Sequence, residues 1–218
     1  MNEPSSCTSE QCVSARASDV GTGRRLEYFT LGWNLIEAGV AVGAGAVAGS
    51  IALIGFGADS LIECLSGSIL LWRLQSHEAD ESREKLALKL VGISFLILAA
   101  YVGFDAVTSL WQREQPKVSF VGICLSALSL VVMPILSRRK RQVAARIQSR
   151  ALLADSRQTN ICAYLSAILL GGLLLNAILG WWWADPVAAL VMVPIIVREG
   201  LEALRGEVCG DCGAPDAT

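Results

Sequence analysis

Long apolar runs alternate with short charged stretches along the chain, and this alternation predicts the architecture. A helix needs about 20 mainly apolar residues to cross the hydrocarbon core of a bilayer. Six segments reach that length, and polar or charged residues separate them. The predicted spans are residues 27–48, 51–73, 87–111, 118–137, 151–174 and 180–204. The pattern therefore predicts an all-α membrane protein with six transmembrane helices.

The connections between several of these spans are short. The first two spans are separated only by the sequence AGS, which predicts a tight helical hairpin. The basic sequence SRRKRQVAARIQSR, between the fourth and fifth spans, is interpreted as a solvated cytoplasmic linker. Small residues in the first span favour close contact between helices in lipid. They are Gly39, Gly43, Gly45 and Gly49.

The chain divides into three parts. Residues 1–26 are interpreted as a disordered cytoplasmic arm, because they are too long and too acidic for the basic region of a cleavable signal peptide. Residues 27–205 are the six-helix transmembrane domain. Residues 206–218 are a short cytoplasmic tail that contains Cys209 and Cys212. The seven cysteines are divided between apolar runs and tails, which is not the framework of a secreted disulfide protein.

The distribution of Lys and Arg predicts the orientation, because basic residues concentrate in cytoplasmic loops. Fifteen of them flank the spans on the side that holds both termini, against two, Arg113 and Lys117, on the other side. We therefore expect cytoplasmic N and C termini in a multi-pass protein of the cell (inner) membrane. The tryptophans at 181–183 then form an anchor at the outer interface.

The composition agrees with a membrane protein and excludes other classes. The chain is 53% hydrophobic and 17% charged, whereas soluble domains carry about 25% charged residues. A net charge of −2 gives no basic field for nucleic acid. No HExxH, GxSxG or phosphate-binding loop is present, so we expect no enzyme.

Two of the predicted spans carry a pair of polar residues four positions apart. Asp59 and Glu63 lie in the second span, and Gln158 and Cys162 lie in the fifth. This spacing puts both members of a pair on one face of a helix. A carboxylate inside a bilayer costs a few kcal/mol, so such residues usually face a partner or a cavity. If the two faces meet, the four groups can surround one divalent cation.

A structural interpretation competes with this one. Arg157 can pair with Asp59 or Asp155 in a buried ion pair that only sets the helix register. The residues alone leave both interpretations open. Asn34 and Glu37 in the first span either line the ion pathway or bond across helices, and Asp105 is ambiguous for the same reason.

Several other polar residues are secondary candidates. Asp155 is an accessory candidate at the metal site. Cys209 and Cys212 form a C-x-x-C that supplies half of a zinc site, or else are incidental thiols of a flexible tail. His77 is interpreted as a solvated loop residue. Asp185 precedes a proline at a predicted helix start and is interpreted as a structural N-cap.

These motifs together resemble the cation diffusion facilitator family of divalent-metal exporters, over about residues 28–205. The resemblance rests on N-x-x-E in the first span, D-S-L-x-E in the second, ALLAD followed by Q-x-x-x-C in the fifth, and ADPVAAL in the sixth. It implies six helices, a homodimer, proton antiport, and a metal site between the second and fifth helices. Carried onto this chain, that site is formed by Asp59, Glu63, Gln158 and Cys162.

The chain departs from the family pattern in three respects. The fifth-helix pair is Gln and Cys, where the family has His or Asp followed by Asp. Only about a dozen residues follow the sixth span, so we expect that the family's C-terminal cytoplasmic metal-binding domain is missing and that the chain resembles short members. The single histidine, His77, lies in a predicted cytoplasmic loop and not in the membrane.

The resemblance implies a proton-coupled efflux transporter of divalent transition-metal cations such as zinc, cadmium or cobalt, with protons as counter-ion. The thiol of Cys162 favours zinc or cadmium among them. The alternative is a non-transporting membrane protein that binds metal, as a sensor for example.

Overall fold

A computed structural model describes residues 9–75 and 81–205, and these residues fold into six helices. No strand occurs among them, so the predicted all-α class is confirmed. The helices are α1 (Ser9–Ala48), α2 (Ile51–Gln75), α3 (Glu81–Gln112), α4 (Phe120–Ile147), α5 (Arg150–Leu179) and α6 (Ala184–Arg205).

Five segments of these helices are long and apolar enough to cross a membrane. They are Asp19–Ala48, Ile51–Ile69, Lys89–Gln112, Phe120–Ile147 and Asp155–Leu179. Helix α6 has 22 residues but carries Asp185 near its start and Arg198, Glu199 and Glu202 near its end. Because these charges lie near both ends of this shorter helix, α6 has no apolar stretch as long as those in the five segments. The predicted multi-span membrane protein is confirmed, and the cytoplasmic location of the termini stays a prediction.

Successive helices run in opposite directions, so the bundle has two distinct ends. The basic end is the one where α1, α3 and α5 begin and α2, α4 and α6 end. At the opposite end, the Lys117 N–H donates to the Ala48 carbonyl at 2.7 Å, and Asn176 Nδ2 donates to the Pro116 carbonyl at 3.0 Å. The stacked rings of Trp181 and Trp183 also lie there, with centroids 4.9 Å apart.

Helix α2 occupies the centre of the bundle. It packs against α1, α3, α5 and α6, while α3 pairs closely with α6 and α4 with α5. Its apolar face and those of its neighbours form one continuous hydrophobic core. Fully buried members of that core include Leu53, Phe56, Phe95, Met133, Leu165, Leu169, Met192 and Ile196. Asp59, Ser60 and Glu63 on α2 are therefore held inside the protein.

The start of α2 is held by residues from two connections. Gly49 adopts a left-handed conformation (φ 69°) that suits glycine, and Ser50 Oγ accepts from the Leu53 N–H at 3.1 Å. The Asp185 carboxylate accepts from Ser50 Oγ and, at 3.4 Å, from the Ala52 N–H. The predicted tight hairpin is thus present. Asp185 was predicted to cap its own helix; it lies instead in the first turn of α6 and supports the start of α2.

The predicted disordered arm differs from the structure, because α1 begins at Ser9 and residues 9–26 are helical. The part of this segment nearest the bundle packs against α4 and α5. Val20 and Leu26 lie on a small cluster formed by Val143, Ala144, Ile147 and Leu152. Asp19 also pairs with Arg146, with Oδ1 and Nη1 3.6 Å apart. These contacts explain why the helix extends beyond the apolar span.

The predicted solvated linker between the fourth and fifth spans is also wrong. Helix α4 continues through the basic sequence to Ile147, and only Gln148 and Ser149 connect it to α5. Basic side chains cover one side of this extension, while Lys140, Val143 and Ile147 are buried on the other. The segment is helical because its apolar residues keep the helical period among the charges.

The glycines that make close contacts are mostly not those predicted. Nothing lies within 4 Å of a Cβ built at Gly39 or Gly43, so these two make no close contact within the chain. Gly45 does make a close contact, since a Cβ built on it would lie 2.7 Å from an Ile54 side-chain atom. The closest approach of two helix backbones involves Gly92 of α3 and Gly200 of α6.

We expect Gly92→Ala to destabilise the bundle, because the added Cβ would lie 2.8 Å from the Gly200 carbonyl oxygen and 2.9 Å from the Leu204 nitrogen. Overpacking of this kind costs about 1–3 kcal/mol. Thermal unfolding in detergent would show it as a lower Tm. Gly43→Ala is the matched control, since its Cβ meets open space. Equal losses of Tm in the two variants would contradict the assigned α3–α6 contact.

Candidate metal site

Three helices each present a stripe of polar residues toward the same interior region. The members of each stripe are three or four positions apart, which places them on one helix face. The stripes are Glu27, Thr30, Asn34 and Glu37 on α1, Asp59, Glu63 and Gly67 on α2, and Asp155, Thr159, Cys162 and Ser166 on α5. Most of these side chains are buried, so the stripes form a polar column inside an otherwise apolar bundle.

The centre of the column is a group of three potential metal ligands. One ligand atom from each of Asp59, Glu63 and Cys162 lies within 4.8 Å of the other two. All three side chains are buried, with exposed fractions of 2%, 8% and 0%. Carboxylate oxygen and thiolate sulfur bind zinc-like ions at about 2.0–2.3 Å. The three atoms are thus close enough to contact one ion after small side-chain rotations.

Gln158, the fourth predicted ligand, lies one turn nearer the basic end than Cys162. Its Oε1 accepts a hydrogen bond from Ser66 Oγ at 3.2 Å. It lines a small pocket beside the group of three, together with Glu63. The predicted pairing of α2 with α5 is therefore present, with Gln158 held by an α2 serine in this structure.

Helix α1 supplies the hydrogen bonds that hold the acidic residues in place. Asn34 Nδ2 donates to Glu63 Oε2 at 2.9 Å. Glu37 Oε2 accepts from Ser60 Oγ at 2.9 Å and from Cys162 Sγ at 3.9 Å. Of the two alternatives for Asn34 and Glu37, bonding across helices is thus observed. Both residues contact members of the candidate site directly or through the adjacent serine.

The electrostatic environment of the group is strongly acidic. Asp59 interacts with the carboxylates of Glu37 and Glu199. Glu63 interacts with the carboxylates of Asp59 and Glu37. Carboxylates gathered in a low-dielectric interior repel one another and attract a cation. The arrangement therefore favours a positively charged ligand over a neutral or anionic one.

A pocket lies between α1, α2 and α5, on the basic-end side of the three candidate ligands. We call it the α1–α2–α5 pocket. Its lining residues are Glu27, Thr30, Leu31, Asn34, Glu63, Gly67, Asp155, Gln158 and Thr159. Glu63 belongs both to this pocket and to the group of three ligands, so the two spaces are adjacent.

A buried lysine contacts three of the residues that line this pocket. Lys140 of α4 is fully buried, and its Nζ lies 3.1 Å from Glu27 Oε1 and donates to Asp155 Oδ2 and, at 3.3 Å, to Thr159 Oγ1. Arg157, in contrast, is exposed. The structural interpretation, in which Arg157 pairs with Asp59 or Asp155, therefore named the wrong basic residue. Asp155 is paired with Lys140.

Lys140, Glu27 and Glu199 were not found from the sequence. A signal for Lys140 was present, because buried residues of α4 recur every three or four positions and Lys140 is one of them. That series is Met133, Leu136, Lys140, Val143 and Ile147. Glu27 likewise continues the α1 stripe of Asn34 and Glu37. Lys140 was missed because it lies in a basic sequence that was interpreted as a linker. Glu27 was missed because it is the first residue of the predicted span.

The remaining candidates lie elsewhere. Asp105 is half-buried on α3 and belongs neither to the group of three nor to the pocket. His77, Cys209 and Cys212 lie outside the described residues, so the predictions made for them stay predictions.

Comparison with known proteins agrees with this geometry. Residues 29–208 match the cation efflux transmembrane domain. The chain is 26% identical to transmembrane protein 163 of Xenopus laevis over 73% of its length, which covers 58% of that relative. It is 24% identical to an uncharacterized transporter of Synechocystis over 84% of its length and 62% of the relative's.

A third relative, an uncharacterized transporter of Methanocaldococcus jannaschii, is 27% identical over 71% of this chain and 57% of its own length. The chain thus spans about 60% of the length of the curated relatives it matches. The family match itself covers most of the chain, including all three polar stripes except Glu27. The chain therefore belongs to the cation efflux family, as the motifs of its first, second, fifth and sixth spans implied.

Proposed function

We propose that this protein is a proton-coupled efflux transporter of divalent transition-metal cations. The observation that carries the proposal is the buried convergence of Asp59, Glu63 and Cys162, each with a ligand atom within 4.8 Å of the others. Membership of the cation efflux family supports transport rather than a purely structural role. Two relatives named as transporters support it as well.

The donor set favours zinc or cadmium as the substrate. A thiolate beside two carboxylates suits borderline and soft ions, whereas magnesium and manganese prefer oxygen donors alone. Gln158 becomes a fourth donor if its amide turns from Ser66 toward Cys162, one turn away. This set replaces the His or Asp, followed by Asp, that the family resemblance implies on the fifth helix.

Proton coupling follows from the chemistry of the ligands. Carboxylates and thiols must lose their protons to bind a metal, so binding and proton release are linked. Cys162 Sγ already donates to Glu37 Oε2. Glu37 is therefore placed to take the thiol proton when a metal ion binds to the sulfur. Protons supplied from the other side of the membrane then displace the metal.

The family resemblance and the charge distribution supply the remaining parts of the proposal. The basic end faces the cytoplasm, because fifteen of the Lys and Arg residues flank that side of the spans. The protein works as a homodimer in the cell (inner) membrane. Residues 27–205 form the transport domain, and the metal leaves the cytoplasm through it.

We expect Asp59→Asn and Glu63→Gln each to lower the initial rate of zinc or cadmium uptake by at least about tenfold, because each removes a charged ligand that the remaining groups cannot replace. Purified protein in liposomes with an internal metal-sensitive dye and an imposed pH gradient gives the rate. Asp105→Asn is the matched control, since it removes a half-buried carboxylate that belongs neither to the group of three nor to the pocket.

The same vesicles test the alternative function and the coupling. A wild-type protein that binds metal but moves none would favour the non-transporting sensor and overturn the transporter. A pH dye inside the vesicles reports proton movement opposite to the metal. Unchanged transport in both acidic-residue variants would remove the assigned site.

We expect Cys162→Asp to shift the preference from cadmium toward manganese, because an all-oxygen site loses its soft donor. The ratio of cadmium to manganese uptake should fall by about tenfold or more. Cys124→Ser is the control, because Cys124 is an exposed thiol outside the site. An unchanged ratio in Cys162→Asp would show that the sulfur does not contact the transported ion.

A further inference from the structure

The α1–α2–α5 pocket has the composition of a cation site in its own right. Its walls hold three carboxylates, two side-chain amides and two hydroxyls, and no basic residue is among them. Two of those carboxylates, Glu27 and Asp155, already bind a cation, the ammonium group of Lys140. The third, Glu63, is itself one of the three candidate metal ligands. The pocket therefore lies between a resident positive charge and the proposed transport site, with several oxygen-bearing side chains among its lining residues.

One polar atom in the wall lacks a partner. Asn34 is 1% exposed, and its Nδ2 donates to Glu63 because a carboxylate accepts hydrogen bonds. Its carbonyl oxygen Oδ1 is then left buried, without a hydrogen bond to any described residue. Buried acceptors are nearly always satisfied, and an unsatisfied one in a pocket wall indicates a ligand or ion that the acceptor binds.

The charges of the pocket favour a cation. When Glu27, Asp155 and Lys140 are ionised, their charges sum to −1, and Glu63, which the pocket shares with the group of three, adds one further negative charge. The pocket therefore stays net negative even when Glu63 binds an ion in the group of three, and it attracts a cation. Lys140 is thus compatible with a bound metal ion, and its hydrogen bonds limit how strongly Glu27 and Asp155 can attract one.

We propose that the α1–α2–α5 pocket is a second cation site, in which Glu27, Asp155 and the Asn34 carbonyl oxygen bind a divalent metal ion, with Lys140 as a tethered counter-charge that weakens the binding. The part of this inference that concerns transport rests on the proposed function. During transport, an ion that comes from the basic end binds first in the pocket and then passes along Glu63 to Cys162. Weak binding suits such a site, because an ion that must move on cannot be held tightly.

The inference is tested by counting bound Co²⁺ on the purified full chain in detergent. The variants C7S, C12S, C209S and C212S are combined in the background so that tail thiols do not bind cobalt. Equilibrium dialysis gives the number of ions, and thiolate-to-cobalt absorption in the near ultraviolet reports the ion on Cys162. We expect two ions per chain, of which only one produces that absorption.

Ligand variants then separate the two sites. Glu27→Gln and Asp155→Asn should each weaken the second ion by at least about tenfold while the thiolate absorption is unchanged. Cys162→Ser should abolish the absorption and leave the pocket ion in place. Circular dichroism and size-exclusion elution control for folding. One ion per chain in the background protein, or a second ion equally tight in both carboxylate variants, would overturn the site.

Lys140 has its own test. Lys140→Met should tighten the pocket ion by about tenfold or more, because it removes the competing positive charge. Lys140→Arg keeps that charge and should bind cobalt as the unchanged background does. Unaltered affinity in a folded Lys140→Met protein would overturn the counter-charge role. If Lys140→Met does not fold, Lys140→Gln replaces it, because glutamine also removes the charge and can still donate hydrogen bonds to Glu27 and Asp155. Unaltered affinity in that variant would overturn the counter-charge role as well.

The outcome for the pocket is distinguishable from the outcome for transport. Two cobalt ions on a protein that moves no zinc or cadmium in vesicles would leave the second site standing and overturn the proposed function. One cobalt ion, on Cys162, in a protein that does transport would leave the proposed function standing and overturn the second site.

Discussion

Carboxylates inside a membrane-spanning bundle are costly, and each must find a hydrogen-bond donor, a counter-charge or a bound cation. This constraint shapes the interior of the protein. Glu63 is held by Asn34, Glu37 by Ser60 and Cys162, and Asp155 by Lys140. At the basic end of the column, Glu27 and Asp155 pair with Lys140. Nearer the centre, the carboxylates of Asp59 and Glu63 share a space with Cys162, and a metal ion bound there, as proposed, would offset their mutual repulsion.

The fold keeps this column in register through contacts made far from it. Asp185 and Ser50 hold the start of α2, so that Asp59 and Glu63 lie at a defined height in the bundle. The close packing of Gly92 against Gly200 joins α3 to α6. Cys162 reaches the α2 carboxylates because α5 crosses beside α2 rather than beside α3.

The donor set has a consequence for the mechanism. With glutamine and cysteine on the fifth helix, no histidine lies among the described residues of the site, so in the proposed transporter the carboxylates and the thiol carry the protons. Glu37 gives the thiol proton a nearby acceptor, and Lys140 balances the charge where the column meets the basic end. The proposed transporter and the proposed second site both depend on this one arrangement of acids, thiol and ammonium.

The sequence by itself determined the class of the protein, because hydrophobic length and i, i+4 spacing are local properties. These local properties predicted the all-α fold and the hairpin at Gly49. Together with the family motifs, they also predicted that Asp59 and Glu63 face Cys162. Only the tertiary structure determined which charged and polar side chains pair with one another. Asp155 is neutralised by Lys140, from another helix, and not by Arg157, two positions away. Asp185 caps α2 rather than α6. Such pairings depend on how helices far apart in the sequence pack together, and local patterns do not contain that information.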